Sequence, residues 1–124
     1  MQMKLVVNLL LGIGMQAVAE AVSLGLHLEL NKTVLLDVLS KTAVIPPALV
    51  GKLKKIEKDD YSPQFPLRLM SKDMDLITET ANNIGAELPA GRAAKSVLDA
   101  NLELSGDLDL SAITPFVLKH ASQS

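Results

Sequence analysis

An all-α fold, a helical bundle around one long N-terminal helix, is what this 124-residue sequence predicts, and three observations carry the prediction. Leucine and alanine dominate a chain that is 48% hydrophobic and only 2% aromatic, and both are strong helix formers. Apolar residues recur at three- and four-residue spacing. No stretch alternates apolar and polar residues for long enough to make a strand. The length is one domain's worth of chain, enough for a real core, so residues 1–124 read as a single helical domain.

The first helix spans about Met3 to about Leu28 and is apolar almost all round, the mark of a helix contacted on several sides. Gly12, Gly14 and Gly25 cost it helix propensity, a cost that close approach by another backbone or a ligand would offset. The second helix, in "LNKTVLLDVLSKT", takes Asn31 as its N-cap and Val34, Leu35, Val38 and Leu39 as its buried stripe. Pro46-Pro47 then breaks the chain before a short helix that ends in a solvated charge cluster. A second long helix starts with Pro66 at its first helical position and stops at Gly85, ahead of Pro89. "PAGRAAKSVLDANLELSG" makes a fifth helix closed by Gly106, and Asp109 or Ser111 caps the last.

A formal net charge of -2 and the lack of a basic stripe set nucleic-acid binding aside. There is no cysteine, hence no disulfide, thiolate metal site or cysteine nucleophile. Residues 5–30 are long enough to cross a membrane, but Asn8, Gln16 and Glu20 interrupt them, and a core helix is the better reading.

Two polar clusters interrupt the apolar pattern. Lys4 and Asn8 stand four residues apart, on one face of the first helix. They are read either as a helix-start lysine reaching water beside an amide satisfied by a neighbouring backbone, or as a proton donor beside a substrate-holding amide. Phe65, Leu69, Lys72, Asp73 and Leu76 recur at helical spacing, and by spacing alone are an exposed Lys-Asp pair beside core residues. Glu20, a lone carboxylate inside the first helix, is expected to find a structural partner such as the backbone end of a neighbouring helix. His27 and His120 lack metal-ligand spacing and read as surface or helix-end residues, so no metal site is expected. "GRAAKS" lacks the glycines and preceding strand of a phosphate loop and reads as a helix start.

"KLVVN", followed about sixty residues later by "FPLRLMSKDMDL", resembles the β-hydroxyacid dehydrogenase family of 3-hydroxyisobutyrate dehydrogenases and glyoxylate/succinic semialdehyde reductases. The likeness is to the family's C-terminal all-α domain, of the 6-phosphogluconate dehydrogenase type, and runs from Met3 to about Lys119. Lys4 and Asn8 match its Lys-x-x-x-Asn motif, Phe65, Lys72 and Asp73 match its later Phe and Lys-Asp motif, and "AEAVSLG" resembles its Ala-Glu-Ala segment. Val7 stands where the 6-phosphogluconate dehydrogenases carry histidine, which argues against that activity, and Lys4 itself argues against the imine reductases.

The resemblance implies Lys4 as general acid/base, Asn8 as a substrate-binding residue, and Phe65, Lys72 and Asp73 at the nicotinamide end of an NADP or NAD site. It implies a small carboxylate-bearing aldehyde or hydroxyacid as substrate and a homodimer, while the lack of cysteine fits a reducing, cytoplasmic compartment. The family's Gly-x-Gly-x-x-Gly strand-turn-helix and Ser-Gly-Gly segment do not occur in these residues. The N-terminal Rossmann domain is thus expected to be absent and the isolated chain to be inactive. The alternative from another class is a non-enzymatic helical dimerisation module, since the first helix is more apolar than a small bundle needs.

Overall fold

The structure, a computed structural model, describes residues 2–121, with side chains through Lys119. Seven α-helices follow in order: α1 (Gln2–His27), α2 (Lys32–Ser40), α3 (Pro47–Lys58), α4 (Leu67–Ile84), α5 (Pro89–Ala100), α6 (Leu102–Ser105) and α7 (Ile113–Ala121). A 3-10 turn, Leu110–Ala112, leads into α7. Among the described residues there is no strand, only an isolated antiparallel bridge between Pro66 and Asp109. The all-α bundle around a long first helix is therefore what forms.

Helix α1 is the spine and packs on α2, α3, α4, α5 and α7. Met15, Val18 and Val22 of α1 meet Leu49, Leu53 and Ile56 of α3 and Leu67, Met70, Met74 and Ile77 of α4 in one aliphatic core. By length and composition α1 could also cross a membrane, and only 28% of its most apolar stretch is buried within the bundle.

Caps fix the helix ends. Asn31 caps α2, its side-chain oxygen accepting from the Val34 N–H at 3.0 Å. Gly85 ends α4 in the left-handed region at φ 76°, where glycine carries no Cβ penalty. Pro66 differs from its expected place: it is the N-cap, and the helix begins at Leu67.

Four other expectations are corrected. In α2 the buried residue is Leu36, while Val34 and Val38 are 60% and 55% exposed, because the short helix touches the bundle along a different line. The fifth helix breaks at Asn101, whose buried side chain donates to the Val97 carbonyl at 2.9 Å and competes with the helical ladder. The charges at the end of α3 are not all solvated, since Lys52 and Lys55 are buried. The glycines of α1 are met by side chains and not by backbone: a Cβ at Gly12 would lie 3.0 Å from Met74 Sδ, and one at Gly25 would overlap Leu35.

Burial of Lys52 is explained by Asp109. The Lys52 ammonium lies 2.8 Å and 3.0 Å from the two carboxylate oxygens. The same carboxylate accepts the backbone N–H groups of Gln64, Phe65 and Ser111 and the Ser111 hydroxyl. Burial alone would raise the Asp109 pKa, but Lys52, Ser111 and the Phe65 N–H outweigh it and hold the carboxyl well below the usual carboxylate range. Lys55 donates to the Ser62 carbonyl at 2.7 Å and ties the same loop to α3.

Removing one partner of a buried pair leaves an uncompensated charge. Asp109→Ala is expected to cost about 3–5 kcal/mol in urea unfolding, and pairing it with Lys52→Met should recover part of that loss. The sign of the pH dependence follows from the lowered pKa. The unfolded chain protonates this aspartate near the ordinary value of about 3.9, and the folded chain at lower pH. The stabilisation is therefore complete at neutral pH and lost as pH falls below about 4 through the folded value. The urea midpoint should drop with acidification in that window, and less steeply in Asp109→Asn.

Candidate functional site

Helices α1 and α4 bring two of the five predicted site residues into contact. Asn8 Nδ2 donates to Asp73 Oδ2 at 3.0 Å, across 65 residues of chain. Close approach of the two helices makes this possible. Gly12 stands one turn after Asn8 and offers no side chain, so Met70 and Met74 of α4 pack directly on it. The rotation of α4 about its axis is fixed from the far side. Ser71 Oγ donates to Asp99 of α5 at 2.9 Å, and Lys95 of α5 bridges Asp75 at 3.0 Å and Asp99 at 2.6 Å.

The half-buried Asn8 and Asp73 are flanked by exposed lysines. Lys4 precedes Asn8 by one turn of α1, and Lys72 precedes Asp73 in α4. Phe65 is half-buried against the core, just before α4 begins. Its N–H donates to Asp109 at 3.1 Å and its carbonyl accepts from Leu110 at 2.8 Å, so the residue is held at both ends. Lys4 and Lys72 are both exposed, and of the five predicted residues Asn8 and Asp73 are the two in contact. The amide orientation is determined by electrostatics: turned over, Asn8 would set Oδ1 against a carboxylate.

Sequence reasoning did not foresee Asp109 as the residue that positions Phe65. The signal was present in α3, where Lys52 falls in the apolar series Leu49, Leu53, Ile56 and so required a buried acceptor. Glu20 is also corrected: it is exposed, and its partner is Gln16 of its own helix, whose Nε2 donates at 2.8 Å. His27 ends α1, exposed, with Nδ1 2.8 Å from the Ser23 carbonyl oxygen. His120 lies outside the residues whose side chains are described. A groove of about 580 Å³ runs beside Gln16, Glu20, His27, Val97 and Val117, and none of the five predicted site residues lines it.

Comparison with known proteins identifies the family. Glyoxylate/succinic semialdehyde reductase 1 of Arabidopsis thaliana is 34% identical over 113 residues, 90% of this chain and 39% of that protein. Cytokine-like nuclear factor N-PAC of Drosophila melanogaster is 26% identical over 113 residues, 90% of this chain and 19% of that protein. The crystal structure of a 3-hydroxyisobutyrate dehydrogenase from Salmonella typhimurium superposes with a TM-score of 0.86 at 25% identity, over 93% of this chain and 41% of that one. The chain thus spans about two-fifths of the reductase and of the dehydrogenase it matches. Residues 1–117 match the family model described as NAD-binding of NADP-dependent 3-hydroxyisobutyrate dehydrogenase, and the chain belongs to that family.

Proposed function

We propose that this domain supplies the proton-transfer wall of an NAD(P)-dependent hydroxyacid dehydrogenase or semialdehyde reductase, acting beside a dinucleotide-binding domain that its own 124 residues do not provide. The observation that carries the reading is the Asn8–Asp73 hydrogen bond, which fixes an amide one helical turn from the exposed Lys4. An oriented amide adds little to a bundle surface, but it serves a site in which one oxygen atom must be held. With Nδ2 engaged by Asp73, Asn8 Oδ1 is the group left to accept a hydrogen bond from a substrate hydroxyl or from the Lys4 ammonium.

In this reading Lys4 is the general acid/base. During reduction of an aldehyde its ammonium gives a proton to the carbonyl oxygen, and during oxidation the neutral amine takes the hydroxyl proton away. The nicotinamide cofactor, NADP or NAD, supplies or accepts the hydride at carbon. Lys72 and Phe65 suit its nicotinamide end, one through an exposed ammonium and the other through a half-buried ring beside the same helix start. Two flanking lysines also suit a small carboxylate-bearing aldehyde or hydroxyacid. Asp73 acts through Asn8 as a positioning residue, a refinement of the cofactor role the family motif implies for it. The 124 residues alone are expected to show no turnover, because they hold only one wall of the site.

A second reading has a specific observation in its favour. N-PAC of Drosophila, whose name is not that of a dehydrogenase, matches 90% of this chain. A helical interaction module would use the same bundle without its proton chemistry.

Lys4→Ala, in the chain joined to its dinucleotide-binding domain, separates the two. Loss of a positioned acid is expected to lower kcat about 10²–10⁴-fold with cofactor affinity kept. Near-normal turnover would remove Lys4 from the chemistry, and activity in neither protein would favour the module. Asp73→Ala tests the positioning role. The Asn8 side-chain amide signals should shift and lose exchange protection in NMR spectra, and stability should fall by about 1 kcal/mol. In the joined protein the same change should depress kcat more than it raises KM.

A further inference from the structure

Polar side chains link α4 to α5 at three levels. Arg92 donates to Asn82, Lys95 lies 3.0 Å from Asp75, and Ser71 donates to Asp99 at 2.9 Å. As the position on α4 falls from Asn82 to Asp75 to Ser71, the position on α5 rises from Arg92 to Lys95 to Asp99, so the rungs form an antiparallel zipper. Lys95 also meets Asp99 at 2.6 Å, which joins two of the rungs into one network. Ser71 is buried, and the other rungs reach the surface.

At about 100° per residue, Ser71 and Asp75 stand about 160° and Asn82 about 180° around the α4 axis from Asp73. The zipper therefore grips α4 on the side opposite the carboxylate that holds Asn8. The contact on the α1 side is a poor guide to that angle. At Gly12 it is made by Met70 and Met74, whose flexible thioether chains tolerate a turn of the helix. Helix α5 is itself braced on α1, since a Cβ at Gly91 would lie 3.0 Å from Leu9, the neighbour of Asn8. The three helices thus close a triangle, and the Asn8–Asp73 bond lies on one of its sides.

A helix with its side chains is about 10–12 Å across, so a turn of about 10° carries an atom at its surface by about 1 Å. Starting from 3.0 Å, that displacement breaks the Asn8–Asp73 bond. We propose that Lys95 is a positioning residue for the Asn8–Asp73 pair, acting through the zipper to fix the rotation of α4. Two carboxylates share its ammonium, and without it Asp75 and Asp99 face one another and push α4 away from α5. Partly exposed ion pairs add little to stability, so the loss falls on the angle of the helix and not on folding. The effect on the Asn8 amide is independent of the proton-transfer reading, whereas any effect on turnover rests on it.

Lys95→Met is expected to keep the helicity of the chain while the Asn8 side-chain amide signals shift and lose exchange protection in NMR spectra. Lys95→Arg, which keeps the charge, should leave them in place. Adding Asp75→Asn to Lys95→Met removes one of the facing charges and should bring the signals part of the way back. In the chain joined to its dinucleotide-binding domain, Lys95→Met should lower kcat about tenfold with KM nearly unchanged, short of the roughly 10²-fold that a 1 Å misplacement can cost. In an Asp73→Ala background the same change should cost less than about twofold, because no bond is left to misplace. Asn8 signals unmoved by Lys95→Met, or a loss of turnover undiminished by Asp73→Ala, would overturn the proposal. Shifted amide signals with full turnover would uphold the hold of the zipper on Asn8 and tell against the proton-transfer reading instead.

Discussion

Lys52 and Asp109 are 57 residues apart in the chain and 2.8 Å apart in space, and much of the architecture is referred to that contact. An aspartate buried among aliphatic side chains is tolerable only when its charge and lone pairs are met. Here an ammonium, a hydroxyl and three backbone N–H groups meet them. The arrangement also settles where the chain must run. The loop before α4 is drawn onto the segment before α7, Leu67 and Arg68 donate to the carbonyls of Leu108 and Gly106, and α4 starts from a fixed point. Phe65 and the whole site-bearing face of α4 take their position from this anchor.

Helix α1 carries its core residues and its candidate site residues on one side. Met15, Val18 and Val22 are core. Toward the N-terminus the same side, opened by Gly12 against the α4 methionines, bears Asn8 and, one turn earlier, Lys4. The opposite side carries Val6, Leu10 and Leu24, all exposed. A helix serving one core needs a single apolar stripe, and the near-uniform hydrophobicity of this one comes from the apolar residues on its exposed side.

How much of this was legible in the sequence follows from the range of each interaction. Local signals read correctly: Asn31 as a cap, Gly85 as a stop, the proline break before α3 and the existence of the long helices all rest on residues within a turn or two of each other. The motif residues were legible as residues, since Lys4, Asn8, Phe65, Lys72 and Asp73 match a family pattern, but the bond between Asn8 and Asp73 was not, because pairing across two helices depends on how the bundle closes. Two of the errors share that cause. Val34 and Val38 fit a helical stripe that α2 does not bury, and Lys52 looked like a surface charge until a distant carboxylate accounted for it. Asn101 broke a helix through a hydrogen bond to its own backbone, a competition that periodicity does not register.

The 65-residue separation of Asn8 and Asp73 has a consequence for how the molecule is assembled. Local helical turns form quickly, whereas contacts far apart in the chain must first meet the entropy of closing a long loop. Individual helices can thus appear while the amide and carboxylate are still strangers, and the oriented amide exists only once α1, α4 and the Asp109 anchor have closed on one another. The oriented amide and tertiary completion arrive together, so a partly folded chain holds Asn8 and Asp73 but not the bond between them.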